Sequence, residues 1–178
     1  MNDDSPNAIL RYYGISPWEM EVIYGLLNSK FRVTQEETEQ YDSDFVSVLI
    51  IILPIQFSEE FFKWFGFRAW DKIKSILKEM KRRRGKGNAI TIEIAFTGEP
   101  NVRFITNLKE PHIFNSAIEK IDFMIELLPY HLNENDIPKN LSEVVYKFNP
   151  DIGKWQLNIL ITEDKKFICT EKGWKIIT

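Results

Sequence analysis

Few residues here have the type and spacing that chemistry demands. The imidazoles are His112 and His131, and the one thiol is Cys169. A thiol and an imidazole can act as nucleophile and base when folding brings them together. However, Cys169 sits inside the short alternating run KFICT, where a cysteine behaves as a small hydrophobe. The two histidines have no metal-ligand spacing to each other or to Cys169. The acidic run EETEQYDSD, residues 36–44, offers oxygen ligands but lacks the glycine and distal glutamate of a calcium loop. Phosphate-binding loops lead into a helix, whereas GKGN at residues 85–88 follows a helical pattern. No Walker loop, dinucleotide fingerprint or Gly-x-Ser-x-Gly elbow occurs. The sequence therefore assigns no catalytic residue, no cofactor and no metal ligand, and it reads as more non-enzymatic than enzymatic.

The strongest local signals are cations and aromatics. Residues 71–87 hold eight cations and two anions, in a chain whose net charge is −3. Four of the cations are consecutive: Lys81, Arg82, Arg83 and Arg84. Cations at a helix C-terminus complement its dipole, and they also solvate an exposed face. Three arginines exceed that need, so the run is also a candidate contact for a partner. Just upstream, EEFFKWFGFRAW at residues 59–70 carries more aromatics than one helix face can bury. Either a second layer, the N-terminal helix or the meander, covers the surplus, which is the favoured reading because two further elements are available to pack there, or the surplus forms an exposed patch of the kind that marks partner sites. The candidate partner-binding residues are Trp64, Phe67, Trp70, Lys81, Arg82, Arg83 and Arg84.

The elements that must position these residues follow from periodicity. Ser5-Pro6 opens a first helix that ends at Gly14. In ISPWEM, Ser16, Pro17 and Glu19 stand as N-cap, N1 and N3 of a second helix, a capping box. Ile15 and Met20 are placed for the accompanying hydrophobic staple. This helix carries glutamates and no Lys or Arg, so it is rejected as a DNA recognition helix. Residues 32–44 read as a strand and loop or as loop alone, and the acids there are charge-complementary to the basic run. FVSVLIIIL, residues 45–53, reads as a buried strand. Ser58 caps a helix running to Arg84, with a break expected at Gly66 and an end at Gly85. AITIEIAF and VRFIT form a hairpin, and residues 113–129 another amphipathic helix. Residues 130–141 read as a linker, followed by four short strands in a β-meander. The predicted fold is α+β: a mixed sheet with packed helices in a β-α-β-β-α unit, after an N-terminal helical segment and before the meander. Two parts are expected, residues 1–130 and 142–178, packed as one globular unit.

The polar, acidic start has no signal-peptide pattern, and the longest apolar run is shorter than the roughly 20 residues of a membrane helix. A single cysteine gives no internal disulfide. These features predict a cytoplasmic protein without a membrane partner. The leading functional expectation is a protein-interaction or regulatory module, binding a protein partner or itself. The alternative is a nucleic-acid-associated accessory protein using residues 81–86 for non-specific phosphate contacts, which the negative net charge disfavours. A pocket between the α+β unit and the meander is a third option to which the sequence assigns no residue.

Overall fold

The computed structural model describes residues 4–40 and 44–177. The chain begins with strand β1 (Asn7–Tyr13), helix α1 (Pro17–Asn28) and strand β2 (Arg32–Glu37). The expected first helix is therefore a strand. NAILRYY buries Ala8 and Leu10 and exposes Asn7 and Arg11, a period of two that overrides the helix-start signal of Ser5-Pro6. α1 starts as predicted: the Ser16 hydroxyl accepts from the Glu19 N–H, and the Glu19 carboxylate accepts from the Ser16 N–H.

Strand β3 (Ser47–Leu53) leads into helices α2 (Glu59–Phe65) and α3 (Phe67–Arg84), then strand β4 (Ile90–Phe96). The break between the helices falls at Gly66, whose φ of 97° suits glycine best. The hairpin closes with strand β5 (Asn101–Thr106). Helices α4 (Pro111–Glu119) and α5 (Met124–Leu132) replace the single helix expected there. Strands β6 (Glu143–Asn149), β7 (Lys154–Ile161), β8 (Lys166–Thr170) and β9 (Gly173–Ile176) form the meander. The linker residues are partly structured: Tyr130–Leu132 end α5, and Ile137 is buried.

All nine strands join one mixed sheet in the order β2-β1-β3-β4-β5-β6-β7-β8-β9. The parallel pairs are β1–β2, β3–β4 and β5–β6, each connected through helices. The α+β class, the mixed sheet and the C-terminal meander stand as the sequence predicts. One row of register neighbours carries the core: Leu10, Ile51, Ile94, Phe104 and Tyr146, each almost fully buried. Helices cover that face. Phe57, Phe61, Phe62, Phe96 and Phe104 interlock above it, with ring centroids as close as 4.8 Å. Such pairs add about 0.5–1.5 kcal/mol each beyond area burial.

The opposite face has no helix among the described residues, and the topology explains why. The β3-to-β4 and β5-to-β6 connections shift the same way along the sheet, yet their strands run in opposite directions. Crossovers of one hand would then put α3 and α4 on opposite faces. α4 instead packs on α3, so the two connections have opposite hands and one face stays open. Ile9, Ile52, Ala95, Arg103, Val145, Ile159 and Ile168 form a row across it. Ile50 and Ile52 of β3 are accordingly half-buried rather than fully enclosed.

Candidate functional site

The basic run does not form one surface. Each of its cations has a separate fate, set by the rotation of α3 against its neighbours. Lys81 is 0% exposed. Its Nζ donates to the Gly87 carbonyl at 3.1 Å and lies 5.9 Å from the Phe114 ring centre. Burial pulls its pKa below the ordinary lysine value, and Glu110 offsets this only in part. Arg82 is exposed and pairs with Glu79 one turn back. Arg83 is exposed and stacks over Trp18, 5.3 Å from the ring centre. Arg84 turns inward. Its Nη1 and Nη2 donate to the two Glu19 oxygens at 2.8 and 2.9 Å, and its Nε donates to the Ser47 hydroxyl at 3.1 Å. Burial pushes the Glu19 carboxyl upward, but the hydrogen bonds from Arg84 and Ser16 outweigh it and lower its pKa to about 2. Beyond Arg82 and Arg83, the accessible cation of residues 81–86 is Lys86, which has Glu110 at 3.8 Å.

The aromatic tract is also divided. Phe61, Phe62, Phe65 and Trp70 are buried, so Trp70 is unavailable to a partner. It anchors a polar seam instead: its indole N–H donates to Asp122 at 3.3 Å. Lys74 lies beside it and pairs with Asp71, Glu119 and Asp122, while Lys78 also pairs with Glu119. Burial pulls the Lys74 ammonium down, but the carboxylates of Asp122 and Glu119 override it and raise its pKa. This seam holds α4 on α3. Trp64 and Phe67 do reach solvent. Trp64 is partly covered, edge-on to Phe31 with Lys30 over its ring. Phe67 opens α3, roughly 25 Å along that helix from its basic end at 1.5 Å per residue, and Trp64 lies before the break at Gly66, on α2. The expected aromatic-plus-basic surface is therefore two separate places.

A third place went unseen in the sequence. Phe123, Leu127 and Tyr130 are 63%, 46% and 74% exposed. Their spacing of i, i+4 and i+7 puts them on one side of α5. α5 buries Met124 and Leu128 on its other side, so the helix is apolar on two faces. The periodicity of residues 113–129 predicts one continuous helix with a single buried stripe. The surplus of large apolar residues in FMIELLPY was the signal available. The Trp70–Asp122 bond ties the first turns of α3 to the α4–α5 junction that begins this stripe.

Groups suited to reaction chemistry are sparse. His131 Nδ1 lies 2.9 Å from the Tyr146 hydroxyl, which is buried, and burial raises the pKa of that phenol. His131 and Cys169 line the same cavity of about 330 Å³ beside Trp155 and Trp174. Among the described residues no hydrogen bond joins the thiol to the imidazole, and no cluster of three His, Cys, Asp or Glu residues could hold a metal ion. No described helix is long and apolar enough to cross a membrane. Compared with protein-family models, with curated proteins and with solved structures, the chain matches none of them.

Proposed function

We propose that this chain is a non-enzymatic, cytoplasmic protein-interaction module that docks a protein partner through the outer side of α5. The observation that carries this reading is the uncovered line of Phe123, Leu127 and Tyr130. Large apolar side chains aligned on a helix are the anchors used when a helix enters a groove. Fully burying three of them would contribute on the order of 5 kcal/mol before association costs. That suits the central anchor of an interface. The nucleic-acid alternative draws less support, because Lys81 and Arg84 are committed within the fold.

The test is site-specific photocrosslinking in the source cell, with a photoreactive phenylalanine at position 127. The reading expects a discrete crosslinked protein, or a crosslinked dimer of the chain, that disappears when Phe123→Ser and Tyr130→Ser are added. Crosslinking no stronger than from a control position on the open sheet face, such as Lys147, would remove the reading.

A further inference from the structure

Two tyrosine–glutamate pairs line one cavity of about 320 Å³ where α1 meets the edge of the sheet. One pair comes from the strands: Tyr12 and Glu37 are direct register partners across β1 and β2. The other comes from α1, where Glu21 and Tyr24 are one turn apart. Ile15, Pro17, Met20 and Gln35 complete the wall. Both glutamates are exposed and both tyrosines half-buried. Among the described residues, neither Glu21 nor Glu37 has an ion pair, and neither Tyr12 nor Tyr24 has a partner for its hydroxyl. Two glutamates and two tyrosines thus border one cavity whose wall holds no cation among the described residues.

We infer that this cleft binds the guanidinium group of an arginine side chain presented by a protein partner. A guanidinium is planar, stacks on tyrosine, and spreads five donors in a fixed fork. Those donors suit two carboxylates and two phenol oxygens better than the compact ammonium of lysine does. A divalent cation needs a denser oxygen shell than two carboxylates from separate elements provide. The cavity exceeds a water site and accepts one side chain, not a large ligand. The protein source of the arginine rests on the interaction reading above; recognition of the guanidinium does not.

Solution NMR of the full chain tests this with N-acetyl-arginine amide as probe. The expected result is saturable shifts at Tyr12, Glu21, Tyr24 and Glu37, with a dissociation constant on the order of 1 mM. The neutral isostere N-acetyl-citrulline amide should give none. Glu21→Gln and Glu37→Gln should each weaken binding about three- to tenfold, and Tyr24→Leu about threefold. Both glutamates are exposed, so these variants fold and the comparison stays clean. Absence of saturable shifts overturns the inference, as does equal binding of the citrulline probe or indifference to both glutamine variants. Free arginine binding more than tenfold tighter than the capped probe overturns the assignment to a protein side chain.

Discussion

Arg84 and Glu19 meet through two parallel hydrogen bonds of 2.8 and 2.9 Å, although they are 65 residues apart. The same guanidinium reaches Ser47, whose hydroxyl donates to the Gly14 carbonyl at 2.7 Å. Four element ends therefore converge on one arginine: the end of β1, the start of α1, the start of β3 and the end of α3. The last residue of the basic run is a fastener of the fold. This relationship makes the residues of the run separable by experiment.

Arg84→Ala leaves the buried Glu19 carboxylate without its partner, and such a loss costs about 3 kcal/mol. Arg82→Ala and Arg83→Ala remove contacts made in solvent, and each should leave stability nearly unchanged. Urea unfolding of the three variants checks the contrast.

Stability should fall in acid because of Glu19. Its carboxyl has a pKa of about 2 when folded, against an ordinary value of 4.5. Between these values the unfolded chain takes up a proton that the folded chain refuses. The stabilisation is thus present above about pH 4.5 and is lost as pH falls toward 2, in total on the order of 3 kcal/mol. Glu19→Gln should be less stable at neutral pH and show a flatter acid limb. Unfolding free energies measured from pH 7 to pH 2 give both curves.

Gly14→Ala should destabilise the same junction by a different route. Gly14 has a φ of 66°, and an added Cβ would lie 2.6 Å from the Val46 carbonyl oxygen. That oxygen belongs to the backbone and cannot swing away. A cost of about 2 kcal/mol is expected from strain at this position, readable as a lower urea midpoint.

Lys81 gives the opposite sign. It is fully buried with one carbonyl partner and no ion pair among the described residues. Replacing a poorly compensated buried charge by an apolar side chain of similar shape is neutral or stabilising. Lys81→Met should match or exceed the parent, by up to about 2 kcal/mol. A large loss of stability in thermal unfolding would contradict this.

Much of the fold is written locally, and much of the surface is not. The capping box Ser16–Glu19, the end at Gly85 and the break at Gly66 follow from residue types at short spacing. The alternation of β4 and of the meander strands needed no tertiary knowledge. β1 was lost because Ser5-Pro6 resembles a helix start, while the alternation of Ala8 and Leu10 is brief. Glu19 was legible as a capping residue but not as the partner of Arg84, because that pairing depends on how α1 and α3 pack. The same holds for Lys81 and Trp70, which face inward by the rotation of α3 rather than by any local rule. α5 was hidden within a longer pattern, because the chain turns at residues 120–123 and brings a second set of apolar residues outward.

The account turns on α5 as a docking surface. Photocrosslinking from position 127 in the source cell addresses it directly. The account predicts a discrete partner, or a second copy of the chain, captured there and lost on Phe123→Ser with Tyr130→Ser while urea stability stays unchanged. Capture at position 127 no greater than at Lys147, or capture that persists in the double variant, would contradict it.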